Sequence, residues 1–145
     1  MNDEATLPTT LDFDFTDEQL DAIEVLPNGR YKGEIIAVEA KMRKSGQGGL
    51  KQTVRIPPEE YPVDFDGTDY PDGITIPFYF IPWDPSNRPA VRSVRKYCAK
   101  IGAEFHSGLD YNDFVGQWAY WDVVTQENMD GDPINGISGC HEEAE

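Results

Sequence analysis

A single long amphipathic helix pattern, at residues 84–102, interrupts a chain whose other long regular segments have the patterns of β-strands. Ser86 or Asn87 is the expected N-cap, Pro89 lies in the first turn, and Gly102 follows the last periodic residue. The apolar face of this helix consists of Val91, Val94, Cys98 and Ile101. The fold must therefore bury one face of one helix among strands.

Strand patterns lie on both sides of the helix. They are rich in β-branched and aromatic residues and cover 30–44, 50–56, 74–81, 117–126 and 134–137. Three strands, a helix and two strands is the element order of the OB-fold. We therefore predict a mainly β fold with one helix: an OB-fold, a five-stranded, partly open Greek-key barrel with its helix between strands 3 and 4.

The segment before the first strand has its own helix signal. Thr16 followed three residues later by Gln19 forms a capping-box pattern, which predicts a short helix stopped by Pro27. We therefore divide the chain into three parts: an acidic N-terminal arm with a short helix at 1–27, an OB-fold domain at 28–138 and an acidic C-terminal tail at 139–145.

Charge is segregated along the chain, whose formal net charge is −15. All 12 Lys and Arg residues lie between Arg30 and Lys100, so the segments on either side carry acids only. Within that stretch the bases fall at 30–55 and 88–100, and the intervening 59–84 is acidic. Local patches decide what can dock, so this pattern predicts a basic groove bordered by acidic segments.

Cations interleaved with aromatic rings suit single-stranded nucleic acid, because cations follow the phosphates and bases stack on the rings. The candidate nucleic-acid-binding residues are Arg30, Tyr31, Lys32, Lys41, Arg43, Lys44, Lys51, Arg55, Tyr79, Trp83, Arg92, Lys96, Trp118 and Tyr120. The alternative is that the rings belong to the core and the cations solvate a strand face. Trp118 and Tyr120 share one face of their strand and Trp121 lies on the other, so at most one of these sets is wholly in the core.

Other classes of function have little support in the sequence. The two cysteines and two histidines lack the spacing of a metal site or of a nucleophile–base pair, and we expect no catalytic residue, no metal and no cofactor. Because no signal-peptide pattern and no long apolar run is present, we expect a cytoplasmic protein with no membrane partner.

Several short motifs are spread along the chain, at Phe13–Phe15, Leu26–Tyr31, Lys41–Gly46, Phe78–Phe80, Gly102 and Val115–Trp118. Together they resemble the motifs of a family of small bacteriophage proteins that are similar to single-stranded-DNA-binding proteins and are found among replication and recombination functions. The resemblance covers about residues 11–138. It implies an OB-fold, no catalytic residue, and a role in coating single strands during phage DNA replication and recombination, in the cytoplasm of the host cell.

Two functional hypotheses follow. The first is a sequence-tolerant single-stranded-DNA-binding protein, favoured by the segregated bases. The second is an acidic interaction protein, either a DNA mimic or an accessory that docks on a replication or host enzyme, favoured by the negative net charge. In both, acidic segments such as the tail could bind phage or host replication and recombination proteins.

Overall fold

The computed structural model describes residues 7–42, 46 and 48–144, apart from the side chains of Phe78 and Tyr79. Its helices are α1 (Asp17–Asp21) and α2 (Arg88–Ile101), and its strands are β1 (Gly29–Met42), β2 (Gly48–Ile56), β3 (Ile74–Pro82), β4 (Trp118–Glu127) and β5 (Pro133–His141). Single 3₁₀ turns lie at Pro58–Glu60 and Tyr111–Phe114. The fold is mainly β, as the sequence predicts, with the long helix between the third and fourth strands.

All the strand pairings are antiparallel, in the order β3-β2-β1-β4-β5. β1 is the central strand and pairs with both β2 and β4. β2 and β3 therefore lie on one side of β1, and β4 and β5 lie on the other, with α2 connecting the two pairs. The two strands at the ends of this order, β3 and β5, also approach each other.

A bulge in β1 changes which of its residues face inward. Strict alternation along β1 would place Val38 on the other face of the strand from Tyr31 and Ile35. However, the pairing with β2 shifts between Ile35 and Ala37. The extra residue reverses the alternation, so Val38 packs against the same core as Tyr31 and Ile35. Gly33 of β1 is a point of close approach to β2, where a Cβ atom would lie 2.8 Å from Val54 Cγ1.

The core lies between the inner face of the sheet and α2. Trp121 is fully buried, and its indole Nε1–H donates to the carbonyl of Gly33 at 3.0 Å. The α2 residues that face the core are Ala90, Val94, Tyr97, Cys98 and Ile101. The helical periodicity predicts the burial of Val94, Cys98 and Ile101, whereas Val91, which it also placed on the apolar face, is only half-buried.

Both ends of α2 follow the sequence signals. The Asn87 side chain accepts a hydrogen bond from the Ala90 amide at 2.9 Å, which satisfies an amide that has no partner within the helix. Gly102 has φ of 77°, the left-handed conformation that ends a helix and that glycine adopts without steric cost.

Among the described residues ahead of β1, hydrogen bonds to the rest of the fold begin at Glu24. The Glu24 carboxylate accepts hydrogen bonds from the amides of Asp66 and Gly67, and the buried Leu26 backbone pairs with the Asn135 side chain. The capping box of α1 is present as predicted. However, α1 is only five residues long and buries none of them, so it contributes nothing to the core.

β5 continues to His141, three residues beyond the predicted boundary between the domain and the acidic tail at residue 138. Gly139, Cys140 and His141 pair with Asp122, Trp121 and Tyr120 of β4. Cys140 is buried, and this burial raises the pKa of its thiol to about 12. Only the residues after His141 remain as an acidic segment.

In the part of the chain that the structure describes, no helix combines the length and the hydrophobicity needed to cross a membrane.

Candidate nucleic-acid interface

Five of the predicted cations and two of the predicted aromatic residues lie on the solvent side of the sheet, which we call the outer sheet face. Their strand positions alternate with those of the core residues, as the pleat requires. These residues are Arg30, Lys32, Lys41, Lys51, Arg55, Trp118 and Tyr120. The outer sheet face also carries three carboxylates and one histidine: Glu34, Glu39, Asp122 and His141.

The most accessible aromatic surface on this face belongs to Trp118. Its side chain is 41% exposed, and the Lys32 Nζ lies 5.7 Å from the centre of its ring, within the range of a cation–π contact. Tyr120 is directly opposite Lys32 in the β1–β4 register, and His141 is opposite Tyr120 in the β4–β5 register. The rings of Trp118 and Tyr120 on β4 thus lie beside the Lys32 cation on β1.

Asp122 connects β1 to β5 on the same face. Its carboxylate accepts hydrogen bonds from Arg30 Nε at 2.9 Å and from His141 Nε2 at 2.6 Å. Burial raises the pKa of Asp122, but the hydrogen bonds and charges of His141 and Arg30 outweigh that effect and hold the pKa below its usual value. The group is therefore a carboxylate at neutral pH, and it orients both partners.

This lowered pKa predicts a pH-dependent contribution to stability. Asp122 should stabilise the fold above its unfolded pKa of about 3.9, and the contribution should disappear as the pH falls through the lower folded pKa. We expect Asp122→Asn to be less stable than the natural protein at pH 7 and the difference to shrink below about pH 4. Urea unfolding midpoints from pH 7 to pH 2.5 test this, and a constant difference across that range would contradict it.

The remaining cations of the face differ in their pairing. Arg55 Nη1 lies 3.9 Å from Glu34, and its Nε donates to the carbonyl of Asp72 at 2.8 Å. Lys41 Nζ is also 3.9 Å from Glu39. Such exposed pairs are weak in water, so a phosphate can compete for these cations. Within the described ranges, Lys51 has no ion pair.

Two predicted stacking residues are elsewhere. Tyr31 is in the core, where its hydroxyl donates to the carbonyl of Pro27 at 2.7 Å, so it is not part of the outer sheet face. Trp83 is half-buried and makes edge contacts with Tyr111 and Phe114, at centroid distances of 5.7 and 6.0 Å. The Trp83 ring therefore packs against the core and is not part of the outer sheet face. The sequence pattern missed this because neither contact is local in the chain.

The two predicted α2 cations are separated. Lys96 lines a cavity of about 510 Å³ between α2, β3 and β5, and His141 and Asp122 also line it. It therefore adjoins the edge of the outer sheet face. Arg92 lines a different cavity with Phe105. The predicted sites at Arg43, Lys44 and the Tyr79 side chain lie outside the described residues.

His141 and Lys100 adjoin the candidate interface, although neither is among the candidate residues that the sequence predicts. His141 is fixed by Asp122, and Lys100 lines the same cavity as Lys96. The segment Ser138–His141 carries one inward-facing apolar residue, Cys140, which is too short a pattern to predict a strand. No cluster of three or more His, Cys, Asp or Glu side chains suited to a metal ion occurs among the described residues.

Neither a protein-family model nor a curated protein matches this sequence.

Proposed function

We propose that this chain is a sequence-tolerant single-stranded-DNA-binding protein built on an OB-type barrel, acting in bacteriophage DNA replication and recombination. The OB assignment is supported by the position of β1 between β2 and β4, by α2 between β3 and β4, and by the approach of β3 to β5. The phage context rests on the sequence resemblance alone.

The observation that carries the proposal is the exposed ring of Trp118 beside Lys32 and Tyr120. A large aromatic side chain on a sheet face would normally be covered, and this one is open to solvent next to a cation. A base stacked on the indole would place its phosphate within reach of Lys32. Stacking of this kind contributes about 1–3 kcal/mol per base and does not select a sequence.

The cations extend this contact along the sheet. Lys41, Lys51 and Arg55 continue the positive positions along β1 and β2, and Lys96 lies beyond the β5 edge. A nucleic-acid strand that crosses the outer sheet face thus meets cations on both β1 and β2. The carboxylates between them, Glu34 and Glu39, favour a flexible single strand that can avoid them over a rigid duplex.

Titration with a dT oligonucleotide at several salt concentrations tests this function. With three to five phosphate contacts, the slope of log K against log salt should be about −2 to −3.5, at roughly −0.7 per contact. Competition with duplex of equal length is the control, and we expect the single strand to bind more tightly. Binding without salt dependence, or tighter binding of duplex, would contradict the proposal.

The second candidate, an acidic interaction protein that mimics DNA or docks on a replication enzyme, is favoured by the carboxylate pairing of Arg30, Arg55 and Lys41. In that function the outer sheet face would be an electrostatically mixed protein-binding surface. The same titration separates the two, because a DNA mimic should show no saturable binding to dT at low salt.

A further inference from the structure

The segment Leu7–Ile23, which we call the lead segment, exposes large apolar side chains that nothing in the described structure covers. Leu11 is 84% exposed, and Phe13 and Phe15 are 58% and 60% exposed. Leu20 and Ile23 are also open to solvent. The segment contains five acids and no base. Exposed apolar side chains of this density usually mark a surface that binds another molecule.

A concave surface of opposite charge lies along α2, and we call it the α2 groove. Two cavities of about 240 and 500 Å³ share Val91 and Phe105 as a common wall. The smaller is lined by Arg88, Arg92 and Arg95. The larger extends to the half-buried ring of Trp83. The groove therefore combines apolar walls with three guanidinium groups.

The arginines of the α2 groove have no acidic partner within the ranges that the structure describes. Arg88 is the first residue of α2, and the first turn contains no acid. A cation at the N-terminal end of a helix is unfavourable, because that end of the helix dipole is already positive. An acidic ligand in the α2 groove would relieve this repulsion.

We propose that the α2 groove binds the lead segment of a second copy of this chain. Phe13 and Phe15 supply rings for the apolar walls, and Asp12 and Asp14 alternate with them to face the arginines. Arginine forks bind carboxylates with two parallel hydrogen bonds, which fixes the register of such a segment.

The positions of the two surfaces favour a second copy over the same chain. Ile23 lies in a cavity with Ile74, the first residue of β3, whereas the α2 groove begins at Trp83, directly after the last residue of β3. The nine-residue strand separates them by about 26 Å at roughly 3.3 Å per residue. In the described structure the lead segment does not occupy the groove of its own chain, because none of its residues lines either cavity and the Phe13 and Phe15 rings are exposed.

This contact joins two different surfaces, so two copies that exchange lead segments close into a dimer, and contacts that are not exchanged continue into rings or open chains. We therefore expect sedimentation velocity of the full chain, without DNA, to show a weight-average mass that rises with concentration. The association should weaken between 0.05 and 0.5 M salt, because the arginine–carboxylate contacts are screened. A chain that remains monomeric at all concentrations, or binds its own lead segment, would overturn the proposal.

Two double variants test the two surfaces separately. One variant, Phe13→Ser with Phe15→Ser, removes the two rings of the lead segment. The other, Arg92→Glu with Arg95→Glu, reverses the charge at two positions of the α2 groove. All four residues are exposed, so both proteins should fold. Each variant alone should associate on the order of 100-fold more weakly than the natural protein. The control is Lys41→Glu with Lys51→Glu, which makes the same charge change on the outer sheet face and should leave association unchanged.

Mixing the two variants gives the decisive result. One then retains an intact groove and the other an intact lead segment, so a 1:1 mixture should form dimers that cannot grow further. A mixture that stays monomeric would show that the two surfaces do not bind each other. If the arginine variant instead associates normally but loses dT binding, the α2 groove belongs to the nucleic-acid interface and the proposal fails.

Discussion

Replacing Trp121 with alanine is expected to lower the free energy of unfolding by about 3–5 kcal/mol, the range for deleting a large buried aromatic side chain. Trp121 is fully buried, so the substitution leaves a cavity under β1 and β4. It also removes the indole donor to the carbonyl of Gly33, which would lose its buried partner. Chemical unfolding followed by circular dichroism measures the loss. A change below about 1 kcal/mol would contradict the position of Trp121 in the core.

Trp118→Ala is the matched variant on the opposite face of the same strand. Because Trp118 is open to solvent, we expect its free energy of unfolding to change by only about 0.5 kcal/mol. Its affinity for dT should fall by roughly 5–150-fold, the equivalent of about 1–3 kcal/mol of lost stacking. A Trp118→Ala protein that binds dT as well as the natural protein would remove this ring from the interface.

Ending the chain after Ser138 is expected to lower the free energy of unfolding by about 2–4 kcal/mol. That truncation removes the last three residues of β5, including the buried Cys140 and the His141 that binds Asp122. It also leaves the edge of β4 without its hydrogen-bonded neighbour. Thermal unfolding of the truncated chain, at matched salt and pH, measures this effect.

A chain ending after His141 is the control for that truncation. It keeps all of β5 and loses, among the described contacts, a 3.5 Å hydrogen bond from Arg30 to the carbonyl of Glu143. We expect its stability to remain within about 0.5 kcal/mol of the natural protein. Equal stability of the two truncated chains would show that Gly139–His141 do not contribute to the sheet. The chain that ends after His141 is therefore the one in which the acidic residues are removed while the sheet stays complete.

The order and identity of the elements could be predicted from local sequence patterns. The Asn87 cap and Gly102 each depend only on neighbouring residues, and together they predict the two ends of α2 correctly. The alternation in β4 likewise separates Trp118 from Trp121, and the structure has the first exposed and the second buried. The capping box at Thr16 is also local, although α1 ends earlier than predicted because none of its residues packs on the core.

The candidate site depended on contacts between distant parts of the chain. The sequence shows a block of cations at 30–55, but it does not show that Arg30 meets Asp122, 92 residues away, or that Arg55 meets Glu34 across a strand pair. It also cannot show that the Tyr31 ring turns inward while Lys32 beside it lies over Trp118.

By itself, then, the sequence determined the three strands, the helix and the two strands, the ends of α2, and which face of β4 is apolar. The tertiary structure decided the β1 bulge, the length of β5 and the partners of each cation. The physical reason is range: caps and periodicity depend on neighbours within about one or two turns, whereas strand register is set by packing between segments far apart in the chain. A bulge of one residue in β1 is enough to exchange its inner and outer faces, and only the pairing with β2 fixes where it occurs.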